Sequence, residues 1–119
     1  MSDAFTDKAR IIQESVPGKQ ITLAHIIANP DELLTQKLQI KEKQPGTALG
    51  ILTVTPGETA LIAGDIAVKA SGATLTVLDI SSGTVVIHGT VSQVEASLAA
   101  IVEYADTRLG FEVCAITKT

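Results

Sequence analysis

Residues 48–72, ALGILTVTPGETALIAGDIAVKASG, contain one strand, one turn and one helix. Leu49, Ile51, Leu52 and Val54 form an apolar run of the density found in buried strands. Thr55-Pro56-Gly57-Glu58 then reads as a capping box. Thr55 accepts from the Glu58 N–H, Glu58 reaches back to the Thr55 N–H, and Pro56 occupies the first helical position, where its missing donor is harmless. Gly72 is suited to end the helix because it tolerates left-handed dihedrals. Ala60, Ala63, Ala67 and Ala70 recur at helical spacing, a stripe of small residues that lets this helix lie close to its packing partner.

Working outward toward the C-terminus, Ala73–Ile80 reads as a strand rich in β-formers, Ser81-Ser82-Gly83 as a tight turn, and Thr84–His88 as the returning hairpin partner. Thr90 and Gln93 form another capping box. Val91, Val94, Leu98, Ile101 and Ala105 then give one apolar helical face, ended by Gly110. Phe111–Ile116 reads as a final strand. From Ala48 onward the order is therefore β-α-β-β-α-β, a ferredoxin-like α+β core in which right-handed crossovers place both helices on one face of a four-stranded antiparallel sheet.

Toward the N-terminus the chain reads as an appendage to this core. Residues 1–9 are a polar tail, and Arg10-Ile11-Ile12-Gln13-Glu14-Ser15-Val16 is a short strand candidate. Pro17-Gly18 marks a turn. Lys19–Ile27 is a strand with Ile21, Leu23 and His25 on one face and Thr22, Ala24 and Ile26 on the other. Asn29 caps a short helix through Pro30 and Glu32, running to about Gln39. Ile40–Gly46, IKEKQPG, is a charged connector and the best boundary between appendage and core. The sheet face away from the two core helices is left for the N-terminal strand and helix, or for a neighbouring subunit, to cover. Residues 17–119 thus read as a single domain.

Composition narrows the function. The 119 residues are 45% hydrophobic but only 3% aromatic. The mean hydropathy of +0.34 is high for a small monomer and points to apolar surface shared with other subunits. A net charge of −4 lacks the basic footprint of a nucleic-acid binder. The N-terminal residues lack the apolar core of a signal peptide, and no apolar run is long enough to cross a bilayer, so a cytoplasmic address is expected. Cys114 is the single cysteine, which excludes an internal disulfide. His25 and His88 each sit in an apolar strand without a ligand partner at metal-binding spacing. No nucleophile–base pair stands out, and neither catalysis nor a cofactor or metal is expected.

The stretches VPGKQITLAHIIANP, ALGILTVTPGETALIAGDIAVK and CAITKT together resemble the EutS/PduU-type shell proteins of bacterial microcompartments, which are circularly permuted versions of the microcompartment shell (BMC) domain. The resemblance runs from Arg10 to Thr119. It implies a homohexamer that tiles with other shell proteins around ethanolamine- or propanediol-degrading enzymes in the bacterial cytoplasm. It further implies that Asp65 and Lys69 lie at the hexamer edge, and that Ser81, Ser82 and Gly83 line a central pore or form an ordinary turn. It also implies that Arg10, Ile11, Ile12, Gln13, Glu14 and Ser15 join their symmetry mates in an axial barrel. One departure is plain: Ala28-Asn29-Pro30 stands where unpermuted shell domains carry a Pro-Arg-Pro-like segment. Because ferredoxin-like folds host many functions, an oligomeric small-metabolite sensor is the alternative reading.

Overall fold

The computed structural model describes residues 18–41 and 44–119. The proposed tail and the candidate barrel strand, residues 1–9 and 10–16, lie outside the described residues. Eight elements follow in order: β1 (Gln20–Ile27), α1 (Glu32–Lys37), β2 (Thr47–Thr55), α2 (Thr59–Ser71), β3 (Thr74–Asp79), β4 (Thr84–Thr90), α3 (Val91–Thr107) and β5 (Thr117–Lys118). The strands form one sheet in the order β3-β4-β2-β1-β5. The four long strands pair antiparallel. This is the ferredoxin-like order, but its fourth position is held by β1. The N-terminal strand is therefore part of the sheet, and the expected strand over Phe111–Ile116 does not form.

That C-terminal stretch instead runs parallel to β1 and touches it in two places. Gln20 bridges Glu112, and His25 and Ile26 pair with Thr117 and Lys118. Between those contacts the ladder is interrupted opposite a bulge in β1, where both Thr22 and Leu23 stand against Thr53. An extra residue in one strand breaks the local pairing and bends the chain. The same bulge resets the alternation of β1. Ile21, Ala24 and Ile26 face the core, while Leu23 is 40% exposed, so Ile21 and Leu23 do not share a face as the simple period-two reading predicts.

The core lies between the sheet and the α2–α3 layer. Leu52, Val54, Val85 and Ile87 of the sheet meet Ala60, Ala63 and Ala67 of α2 and Val94, Leu98, Ile101 and Ala105 of α3. Each fully buried Val, Leu or Ile side chain of this set contributes on the order of 2 kcal/mol. The small-residue stripe is real, though Gly64 rather than the exposed Ala70 completes it. Leu75 and Leu78 of β3 fill the space over Gly64. Ser97 is fully buried and its hydroxyl donates to the Ala67 carbonyl at 2.6 Å, with Ser71 Oγ 2.7 Å away, so this buried polar group in the helix–helix contact is satisfied.

Capping follows the sequence at α3 and departs from it elsewhere. Thr90 and Gln93 make the reciprocal box, with Gln93 N–H to Thr90 Oγ1 at 3.1 Å and Thr90 N–H to Gln93 Oε1 at 2.9 Å. At α2 the Thr55–Glu58 box is absent. Thr55 is still in the β2 ladder opposite Gln20, and the first helical donors are satisfied by turn carbonyls: Thr59 N–H bonds Pro56 O at 3.0 Å and Ala60 N–H bonds Gly57 O at 2.9 Å. At α1 the cap is Asp31, whose carboxylate accepts from Leu33 N–H at 3.0 Å, and not Asn29.

The β2–α2 turn lies directly against the β3–β4 turn. Val54 N–H donates to Gly83 O at 2.9 Å. A Cβ on Gly83 would overlap the Val54 carbonyl oxygen, and one on Gly57 would overlap the Ile80 carbonyl oxygen. Gly83 also holds a φ of 71°, whereas Gly46 holds a similar φ of 85° with open space around it. Gly46→Ala is expected to cost only the left-handed backbone penalty, roughly 1–2 kcal/mol. Gly83→Ala adds a steric clash of about 1–3 kcal/mol. Urea unfolding of the two variants at equal protein concentration should show the larger loss at Gly83.

Candidate assembly surface

The two sheet faces differ. One carries α2 and α3. The other presents His25, Ile51, Leu49, Val86 and His88, residues that alternate with core positions on β1, β2 and β4. Among the described residues α1 packs on no other helix or strand, so of the expected covers for this face a neighbouring subunit remains. Leu49 and Val86 are nonetheless buried, flanked by their cross-strand neighbours.

His25 anchors β5. Its Nδ1 lies 2.6 Å from Thr117 Oγ1 and its Nε2 lies 2.9 Å from Thr119 Oγ1, so both ring nitrogens are hydrogen-bonded to hydroxyls of the C-terminal stretch. Lys118 Nζ reaches Glu95 Oε2 on α3 at 3.0 Å, a pair open to solvent on both sides. His88 Nδ1 sits 2.6 Å from Thr76 Oγ1, and partial burial lowers its pKa because the charged ring is less well solvated there. Both histidines are thus strand-to-strand fasteners. Cys114 is half-buried against the core. Among the described residues no group of three or more His, Cys, Asp or Glu side chains converges to hold a metal, and no helix is long and apolar enough to cross a membrane.

The helix edge carries the expected pair. Lys69 Nζ lies 2.9 Å from Asp65 Oδ2, with side chains 75% and 60% exposed. Leu61, Ile62 and Val68 stand exposed on the same helix, an apolar lining around a charged pair. Ser81, Ser82 and Gly83 form the β3–β4 hairpin turn. Ser81 and Ser82 point into solvent, while Gly83 is buried against the β2–α2 turn. Asp79 organises that turn, accepting from Ser81 N–H at 3.0 Å and Ser81 Oγ at 2.7 Å, and these hydrogen bonds lower its pKa. Asp65 and Lys69 therefore sit on the α2 surface and the serines at the hairpin tip, and the fold does not bring the two sets together. Sequence reading missed the exposed leucines of α1, Leu33 and Leu34. Their adjacency on a short helix that buries only Thr35 is the signal that could have found them.

A family model described as the BMC domain matches residues 48–117. This chain belongs to the BMC-domain family. The matched segment begins at β2, so β1, which completes the sheet, lies before it, as circular permutation requires. Individual shell proteins match over nearly their whole length. The chain is 50% identical over 113 residues to the bacterial microcompartment shell protein EutS of Salmonella typhimurium, covering 95% of this chain and 99% of that one. It is 46% identical over 110 residues to the shell protein PduU of the same organism, covering 92% and 93%. Among solved structures it superposes on a CutR flat hexamer with a TM-score of 0.81 at 45% identity, covering 92% of this chain and 99% of that one.

The His88 geometry makes a testable statement about pH. Its folded-state pKa lies below the ordinary 6.5, so the stability tied to its neutral form is complete above that value and falls as the pH drops through it. Melting of wild type against His88→Gln from pH 8 down to about pH 5 should show the wild type losing midpoint faster than the variant below the ordinary histidine range.

Proposed function

We propose that this chain is a structural shell subunit of a bacterial microcompartment and acts by assembling, not by catalysing. The observation that carries this reading is the end-to-end similarity to a shell protein that forms a flat hexamer, spanning 99% of that chain at 45% identity. The chain's own surface supports it: Leu61, Ile62, Leu78 and Ile80, each 39% exposed or more, leave apolar area on a single copy that association would bury. A ring formed by repeating one head-to-tail contact closes when the rotation per subunit fits the ring number.

Within this reading Lys69, held by Asp65, lies at the outer edge of the ring and takes part in the meeting of neighbouring tiles. Ser81 and Ser82, solvent-facing at the hairpin tip, line or border the axial opening, where their hydroxyls would make it polar. The compartment served is of the ethanolamine- or propanediol-degrading type, in the bacterial cytoplasm, and the neighbours are other shell proteins and the enclosed enzymes.

Native mass spectrometry tests the reading first. A hexamer at micromolar concentration is expected, and a stable monomer would refute it. Lys69→Ala should leave the hexamer mass unchanged while layers disappear in negative-stain images. Unchanged layers would remove Lys69 from the edge.

A further inference from the structure

The β3–β4 hairpin turns its hydrogen-bond donors onto its own carboxylate. Asp79 Oδ1 accepts from Ser81 N–H at 3.0 Å and from Ser81 Oγ at 2.7 Å, and Ser82 Oγ donates to Thr84 Oγ1 at 2.9 Å. Both serine hydroxyl protons are therefore held inside the hairpin, and each hydroxyl shows solvent its lone pairs. Asp79, Ser81 and Ser82 are all exposed. The hydrogen bonds from Ser81 and Ser82 favour the ionised form of Asp79 and lower its pKa. Free N–H groups at a turn make a seat for an anion. Here a carboxylate already occupies that seat, so the tip offers oxygen atoms and a negative charge.

The surroundings carry the same sign. Gly57 packs against the Ile80 carbonyl, and the residue after it, Glu58, is exposed. Among the described residues the cations at this end of the molecule lie on the β1 side. Lys19, just before β1, stands over the Phe111 ring at 5.8 Å, and Arg108, just after α3, stands 6.0 Å from the Tyr104 ring. β4 and β2 separate β1 from β3. Three strand spacings put Lys19 roughly 14 Å from the β3 flank, beyond the screening length of about 10 Å at 0.1 M salt. The described cations therefore leave the negative charge of the tip in place. In a ring the tip of one copy is repeated by every copy. A ring of aspartates around a pore favours cations.

We propose that Asp79 makes the axial opening selective for small cations over anions of similar size, with the lone pairs of Ser81 and Ser82 solvating the passing ion. The proposal rests on the reading above that the hairpin tips border the axis. Full-length rings are placed in a planar lipid bilayer with unequal potassium chloride on the two sides, and the reversal potential gives the ratio of potassium to chloride permeability. At low salt the ratio is expected to be about tenfold in favour of potassium. It should shrink as added salt shortens the screening length. Asp79→Asn keeps a side-chain oxygen for Ser81 N–H and removes the charge, so the ring mass by native mass spectrometry is kept while the ratio falls toward parity. Glu95→Gln removes an equal charge on α3, where Glu95 pairs with Lys118, and leaves the ratio unchanged. A wild-type ratio at parity or favouring chloride, no current through intact rings, or an equal loss in both variants would each overturn the proposal while the ring stands. A wild-type chain that forms no ring, or a ring map with residue 81 off the axis, would defeat the earlier reading and this proposal with it.

Discussion

The pairing of β1 with β2 along nearly their whole length holds the rest of the molecule in place. Ile21, Ala24 and Ile26 enter the core only because β1 lies beside β2 in this register. A slip of one residue would turn these side chains toward solvent. The same pairing gives the C-terminal stretch something to lie against, through Ile21 N–H to Glu112 O at 2.8 Å and Thr119 N–H to Ile26 O at 2.9 Å. It also fixes where α1 begins, since that helix is reached from the last residues of β1. One strand from the start of the chain thus completes a domain whose remaining elements all come later.

Much of this was legible in the residues. The βαββα order, the hairpin around Ser81–Gly83, the α3 capping box and its apolar face follow from local chemistry, and local chemistry determined them in the structure too. The misreadings share a cause: they sit where long-range pairing overrides a local signal. Thr55 has the composition of a helix cap, but its backbone is already committed to Gln20 across the sheet. Phe111–Ile116 has strand composition, but the inner place beside β2 is taken by β1, and only the outer edge of β1 remains. The bulge at Thr22 and Leu23 has no glycine to announce it. Asp31 outcompetes Asn29 as a cap because the helix starts two residues later than the Asn-Pro dipeptide suggests.

The surfaces were harder to read than the core. Asp65 and Lys69 are visible as a spaced pair, and the structure shows that pair intact and exposed, yet exposure alone assigns no partner and such a pair is worth little on its own. A solved relative that forms a flat hexamer shows that such a chain can associate with copies of itself. The fold then separates the candidates by position: the hairpin tip with Ser81 and Ser82 at one end of the sheet, and Lys69 at the other. The two ends differ in chemistry, with exposed hydroxyls at one and an exposed ion pair at the other.

The flanks of the sheet matter for such a molecule. β5 is only two residues long, Thr117 and Lys118, and presents a short, charged border. β3, at the opposite flank, carries a register shift between Leu75 and Val77 and ends in Asp79. Brevity, a charge and a kink are the devices that keep exposed strands from templating cross-β stacking between molecules. A protein concentrated by its own assembly is at particular risk of amyloid-like growth, and among the described residues both flanks of the sheet are blunted against it.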